Sequence, residues 1–158
     1  MKYWLIICVT FSLSACVEEN SASNCHNTGE NGEVSALLIG NSLTRGIQLK
    51  LNELLSCSGY IPTIGVSNPS STYLSEHNNL DATLNKIDIG FDNVILQEHS
   101  SGIHANHSEP YTVIQSLKTK IDAAGSEMMF YQTWGYQGQS VDDHIAGYDA
   151  VGDYFGST

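Results

Sequence analysis

The chain has 158 residues, with 6 Lys and Arg against 17 Asp and Glu, which gives a formal net charge of −11 at pH 7. A surface this acidic repels the phosphates of nucleic acids and anionic lipid headgroups, so we expect no nucleic-acid partner. Once an N-terminal signal is set aside, the remaining length suits one domain with a core of its own and excludes two.

The N-terminus has the pattern of a secretory signal. Lys2 precedes an apolar run from Trp4 to Leu13, and a run of about ten residues is too short to cross a bilayer as a helix. The stretch Leu13-Ser14-Ala15-Cys16 resembles a bacterial lipobox. That resemblance implies a signal at residues 1–15, a lipid on Cys16, and a place in the cell envelope, in the periplasm or at the outer membrane of a bacterium. The alternative is an ordinary signal whose cleavage site lies beside a cysteine.

Residues 16–33 are polar and predict a flexible tether, followed by one domain at 34–158. The cysteines bear on this tether. Cys8 leaves with the signal and Cys16 is acylated, which leaves Cys25 and Cys57 as an even pair in an oxidising compartment. A disulfide between these two would join the tether to the first helix. The alternative is two unrelated thiols, Cys57 being a small apolar residue at a helix end.

Strands and helices alternate along the domain. In chain order, hydrophobic periodicity predicts a strand at 34–39, a helix at 43–55, a strand at 61–66, a loop at 67–71, a helix at 72–87, a strand at 93–96, a long polar loop at 97–110, a helix at 111–124, a strand at 128–131 and a helix at 141–155. Continuous apolar strands separated by amphipathic helices predict a parallel sheet covered on both faces, a three-layer α/β domain that is flavodoxin-like in outline. In such sheets the chemistry lies at the carboxyl ends of the strands.

Ser42 follows Gly40 and Asn41 at the switch from the first strand to the first helix. A serine in this position has its hydroxyl at the edge of the sheet, and the backbone N–H groups of the helix start point at any anion formed there. This pattern predicts a nucleophile. The alternative is that Ser42 only caps the helix, which is a common role for serine.

Three segments, in this order, resemble the SGNH (GDSL-type) serine hydrolases and esterases. Leu37-Leu38-Ile39-Gly40-Asn41-Ser42-Leu43 is similar to their first block, Gly-Asp-Ser-Leu, with Asn41 in place of Asp. Leu96-Gln97-Glu98-His99-Ser100 and Tyr131-Gln132-Thr133-Trp134 resemble a Gly-Asn-Ser subgroup. The resemblance spans residues 34–135. It implies the SGNH fold and the hydrolysis of small acyl or acetyl esters, carbohydrate-linked ones among them, without a cofactor.

The resemblance also implies roles for individual residues. Ser42 is the nucleophile, and its own backbone N–H is one oxyanion donor. The family's second donor is a glycine N–H in the loop after the second strand, where this chain has Ser70 and Ser71. The third, an Asn side chain in most of the family, falls near Gln97 and His99, and the register does not choose between these two.

The chain departs from the family in its last part. The family carries its catalytic Asp and His in an Asp-x-x-His segment after the last strand, whereas Asp142-Asp143-His144 has the wrong spacing. We therefore expect a truncated chain that lacks the last strand and the His block and is inactive or weakly active. The alternative function is a non-catalytic surface lipoprotein with a carbohydrate-binding cleft, in which Tyr131, Trp134 and Tyr136 stack on a sugar ring.

One loop concentrates residues that bind metals in other proteins. His99, His104 and His107 lie there with Glu98 and Glu109, and imidazoles with carboxylates are zinc ligands. The spacing of the histidines matches no ligand pattern that we can tie to a fold. We therefore assign no metal to the chain.

Overall fold

The structure is a computed structural model that describes residues 30–103, 109–135, 138 and 140–156. Four parallel strands form one sheet in the order β2-β1-β3-β4. The strands are β1 (Gly32–Ile39), β2 (Tyr60–Ser67), β3 (Asn93–Leu96) and β4 (Glu127–Phe130), and the helices are α1 (Ser42–Cys57), α2 (Leu74–His77), α3 (Asp81–Ile87), α4 (Glu109–Ala123) and α5 (Val141–Phe155). The predicted α/β fold with a parallel sheet is confirmed.

The centre of the sheet supplies the core. Leu37, Leu38 and Ile39 at the end of β1 have no exposed surface. Leu37 and Ile39 pack in one apolar cluster with residues of α4 and α5 such as Leu117 and Val151. Because side chains alternate along a strand, Leu38 faces the other side of the sheet, and its complete burial shows that this side is covered as well. The carboxyl end of β1 is therefore held on both faces.

Most predicted elements differ from the observed ones by one or two residues at their ends. β1 begins at Gly32 and not at 34, because Gly32 and Glu33 already pair with β2. The predicted helix 72–87 is two helices, α2 and α3, with residues 78–80 between them. Asn78 and Asn79 are weak helix formers, and Leu80 is extended at φ −98°, ψ 106°.

Helix α5 lies where the sequence predicts it, from its apolar spacing at 141, 145, 148, 151 and 155. Tyr148, Val151 and Phe155 are buried, as this spacing predicts, whereas Val141 and Ile145 are 60% and 39% exposed. His144 is buried as well. Within the described part of the chain, no helix is both long and apolar enough to cross a membrane.

Candidate active site

Ser42 is the first residue of α1 and its side chain is exposed at the end of β1. Asn41 is the N-cap: it is extended at φ −122°, ψ −150°, and its Oδ1 accepts a hydrogen bond from the N–H of Leu43 at 3.1 Å. The capping role that the sequence left open for Ser42 therefore belongs to Asn41. Among the described residues, none accepts the N–H of Ser42 or bonds to its hydroxyl.

The turn before Ser42 requires glycine. A Cβ at Gly40 would lie 2.2 Å from Oγ1 of Thr44 and 2.7 Å from Oε1 of Gln97, distances at which atoms overlap. Gly40 N donates to the carbonyl of Ser67 at 3.0 Å, which joins the turn to the end of β2. The turn therefore has no space for a side chain at position 40, because Thr44 and Gln97 pack against it.

Gln97 is fully buried, and its amide holds this turn. Oε1 accepts hydrogen bonds from the N–H of Asn41 at 3.1 Å and the hydroxyl of Thr44 at 2.8 Å, and Nε2 donates to the carbonyl of Glu98. Because Gln97 has no exposed surface, its amide is less accessible to a substrate than the ring of His99, and the oxyanion role that the resemblance left open stays a prediction. We interpret it as a support of the Ser42 turn.

His77 is a site residue that the sequence analysis missed. It is fully buried, with Nε2 2.9 Å from the carbonyl oxygen of Gly40 and Nδ1 2.9 Å from Oγ1 of Thr83. Burial lowers the pKa of His77 below its usual value, so the ring is neutral. Because a carbonyl only accepts, the proton lies on Nε2, and Nδ1 accepts from Thr83.

Ser71 has the conformation of a glycine. Its φ is +56°, the one positive φ of a non-glycine residue in the described part of the chain, and this is the left-handed region that glycine enters without steric cost. Nδ2 of Asn41 donates to the carbonyl of Thr72 at 3.4 Å, so the loop lies beside the Ser42 turn. Of the two serines that the sequence offered, Ser71 is the one that matches a glycine position.

Glu98 joins the two loops that flank Ser42. Its carboxylate accepts the N–H of Leu74 at 3.2 Å and the N–H of His99 at 2.6 Å. Burial raises the pKa of Glu98 to about 7 and outweighs the two backbone hydrogen bonds, which act in the opposite direction. Gly102 makes room for this carboxyl, since a Cβ there would lie 2.5 Å from Cγ of Glu98.

His99 is half-buried, and its ring stacks on Tyr73 with centroids 4.4 Å apart. Nδ1 accepts the N–H of Ser101 at 3.3 Å and lies 2.8 Å from the hydroxyl of Ser101. In the neutral ring, the proton is therefore on Nε2, which can donate a hydrogen bond. This tautomer suits His99 as the third oxyanion donor better than it suits a general base.

Each described histidine has a partner other than Ser42. His77 bonds to Gly40, His99 to Ser101, and Nδ1 of His144 lies 3.2 Å from the carbonyl of Ile103. In the described parts of the chain, no three potential metal-ligating side chains come together.

Several other residues named by the sequence analysis lie outside the described residues. Cys16, Cys25, His104, His107 and Tyr136 lie outside, as does the side chain of Glu109. Cys57 is disulfide-bonded, and its pairing with Cys25 stays a prediction. After β4, Tyr131 is half-buried and Trp134 is 65% exposed.

The chain matches no protein-family model and no curated protein sequence. Solved structures do resemble it. A proposed SGNH hydrolase from Slackia heliotrinireducens has 24% identity and a TM-score of 0.65, over 79% of this chain and 77% of that one. A DUF4886 family protein from Bacteroides uniformis has 15% identity and a TM-score of 0.64, over 80% of this chain and 65% of that one.

The psychrotrophic esterase EstA from Pseudoalteromonas sp. has 12% identity and a TM-score of 0.58, over 78% of this chain and 74% of that one. At these identities the likeness concerns the fold. The architecture of this chain, a parallel four-stranded sheet with helices between its strands, matches these solved structures over most of the chain. The chain has the SGNH hydrolase fold.

Proposed function

We propose that the chain is a serine-dependent ester hydrolase with Ser42 as its nucleophile. The observation that carries the proposal is that the residues at the end of β1 have different roles. Asn41 caps α1 and buried side chains support the turn, while Ser42, exposed at the helix N-terminus, has no structural task in the described residues. The likeness of the fold to SGNH hydrolases and to an esterase supports the same kind of chemistry.

In the proposed reaction, Oγ of Ser42 attacks the carbonyl carbon of an ester, and its proton passes to a base. The negative charge that develops on the carbonyl oxygen is received by the N–H groups of Ser42 and Ser71 and by Nε2–H of His99. The tetrahedral intermediate then collapses, the alcohol leaves with a proton, and an acyl-serine remains. Water attacks this acyl-enzyme, which releases the acid and restores the Ser42 hydroxyl.

We propose that the supply of a general base limits the rate. None of the described histidines bonds to Ser42, and a serine without a base loses several powers of ten in rate. We therefore propose that the 158-residue chain acts slowly by itself. Because Ser42 is exposed, a dissolved imidazole can reach its hydroxyl and accept the proton.

The proposed substrates are small acyl or acetyl esters, including esters on carbohydrate. Trp134, 65% exposed after β4, offers a face on which a sugar ring can stack. We further propose that the protein is exported and held at the cell envelope by a lipid on Cys16. Mass spectrometry of the N-terminus of membrane-extracted protein tests this, and an unprocessed Met1 in protein from the cytosol would contradict it.

The function is tested with a fluorophosphonate probe and with p-nitrophenyl acetate, each with and without imidazole. We expect the probe to attach at Ser42, and we expect imidazole to raise ester turnover above the level of the Ser42→Ala variant, which measures the reaction of imidazole alone. Ser116→Ala removes a hydroxyl of α4 that bonds to Asn78 and is the matched control. Equal turnover by the wild type and Ser42→Ala at every imidazole concentration would reject the hydrolase and favour the sugar-binding lipoprotein.

A further inference from the structure

The peptide bond between Gly40 and Asn41 is held at both of its polar ends by buried side chains. Its carbonyl oxygen accepts from Nε2 of His77 at 2.9 Å, and its N–H donates to Oε1 of Gln97 at 3.1 Å. His77 and Gln97 have no exposed surface. Because a peptide unit is planar, holding both ends prevents its rotation about the line between the two Cα atoms.

His77 is itself held in a closed ring of hydrogen bonds. Its Nδ1 lies 2.9 Å from the hydroxyl of Thr83, which lies 2.7 Å from the hydroxyl of Ser67. The backbone carbonyl of Ser67 accepts the N–H of Gly40 at 3.0 Å. The ring closes there, because the carbonyl of Gly40 accepts from Nε2 of His77. Thr83 and Ser67 are also buried, so these bonds are shielded from competition with water.

We propose that His77 is a positioning residue that fixes the Gly40–Asn41 peptide and thereby sets the direction from which Ser42 attacks. The inference deepens the function proposed for Ser42 and rests on it. Rotation of this peptide would change ψ of Gly40 and φ of Asn41, which are torsions of the two residues that precede Ser42. A displacement of about 1 Å in a reacting group can reduce a rate about 100-fold, so a hydrogen bond that prevents the rotation acts on kcat.

Three substitutions separate this role from simple packing. His77→Gln places an amide N–H where Nε2 of the ring was, and so retains a donor for the Gly40 carbonyl. His77→Asn is shorter: its amide replaces Nδ1 toward Thr83 and does not reach Gly40. His77→Leu removes both hydrogen bonds, the one to Gly40 and the one to Thr83. If His77 only fills space, kcat should follow how well each side chain fills the cavity. If His77 positions the peptide, kcat should follow whether the side chain donates a hydrogen bond to the carbonyl of Gly40.

The first readout is imidazole-supported hydrolysis of p-nitrophenyl acetate. We expect kcat to fall about 10- to 100-fold in His77→Asn with KM unchanged, and to return to within a few-fold of the wild type in His77→Gln. The second readout needs no activity. Amide hydrogen exchange at Asn41, followed by NMR, should be faster in His77→Asn than in His77→Gln, because a peptide held at one end opens more easily.

If the His77 variants do not fold, Thr83→Val gives a second approach, since it removes the partner of Nδ1 at nearly constant volume. We expect faster exchange at Asn41 and a few-fold lower kcat, whereas Thr119→Val, a threonine whose hydroxyl bonds to Gln115 on α4, should change neither. Unchanged kcat and exchange in a folded His77→Asn, or equal losses in His77→Gln and His77→Asn, would overturn the proposal.

The two failures are distinguishable. Should the wild type show no turnover that depends on Ser42, the proposed function fails, and the exchange experiment still decides whether His77 holds the peptide. Should turnover depend on Ser42 while the His77→Gln and His77→Asn variants have the same kcat, the hydrolase stands and the positioning role falls.

Discussion

Glu98→Gln should alter the pH dependence of stability. In the native protein, the pKa of Glu98 is raised from its usual 4.5 to about 7, with burial as the largest cause. Each unit of pKa corresponds to about 1.4 kcal/mol, so ionised Glu98 destabilises the folded state by about 3 kcal/mol relative to the protonated form. Glutamine has the shape of the protonated carboxyl and carries no charge at any pH.

The sign follows from the direction of the shift. The folded pKa lies above the unfolded one, so the stability associated with protonated Glu98 is fully present below about pH 4.5 and is lost as pH rises through about 7. In Glu98→Gln this loss is absent. The amide oxygen at the position of Oε1 can still accept from Leu74 and His99, and only the 3.3 Å contact of Oε2 with the N–H of Leu74 is given up.

Urea denaturation of both proteins between pH 4 and 8 measures the effect. We expect Glu98→Gln to gain about 3 kcal/mol on the wild type between pH 4.5 and pH 8, whatever the offset between the two at low pH. Groups that titrate in both proteins cancel in this difference. Glu127→Gln, which changes an exposed glutamate at the start of β4, is the control for the substitution itself. If the difference between Glu98→Gln and the wild type did not change with pH, the buried carboxyl would not ionise as described.

Three further predictions concern the turn, its neighbouring loop and the cysteines. Gly40→Ala should destabilise the protein by about 1–3 kcal/mol, because the added Cβ overlaps its neighbours, and should slow probe labelling at Ser42. The control Gly46→Ala, in α1 with no atom within 4 Å of the added Cβ, should stabilise the protein by about 1 kcal/mol. Similar melting temperatures for the two variants would contradict this prediction. Ser71→Gly should raise the free energy of unfolding by up to about 1 kcal/mol, because it relieves a left-handed backbone, and a loss of stability in urea would count against the assigned φ. Cys25 and Cys57 should resist thiol labelling in denatured, unreduced protein; two labelled thiols per mature chain would refute the pairing.

The elements that form the sheet could be predicted from the sequence because their signals are local. The apolar run at 34–39, followed by glycine and a helical spacing, predicts both β1 and the turn at Ser42, and both are present. The prediction of one helix at 72–87 failed because the helical spacing of Leu74, Leu84 and Ile87 continues across the break and so hides it. The two asparagines at 78 and 79 carried the signal that competed with that spacing.

The support beneath Ser42 could not be predicted in this way. Gln97 bonds to Asn41 across 56 positions of the chain, and His77 bonds to Gly40 across 37. Neither partner is marked by a local pattern, because a buried polar residue in a short helix looks the same in sequence as an exposed one. His99 could be named from the sequence because it lies in a segment that resembles the SGNH hydrolases, whereas His77 has an exposed glutamate before it and two asparagines after it, which suggest a surface.

Asn41 shows why the residue before the nucleophile carries an amide in this chain. Capping α1 requires only an acceptor, and a carboxylate would serve, as in the Gly-Asp-Ser form. The other end of the Asn41 side chain, however, donates to the carbonyl of Thr72, and an aspartate would place a second acceptor against that oxygen in a site that is 3% exposed. The amide therefore does what the carboxylate cannot: it joins the turn that carries Ser42 to the loop that carries Ser71. The two proposed backbone donors lie on these separate segments, so the Asn41 side chain helps to set their spacing around an oxyanion, together with the bond from the N–H of Gly40 to the carbonyl of Ser67. Glu98 holds the His99 loop to the start of α2 on the other side.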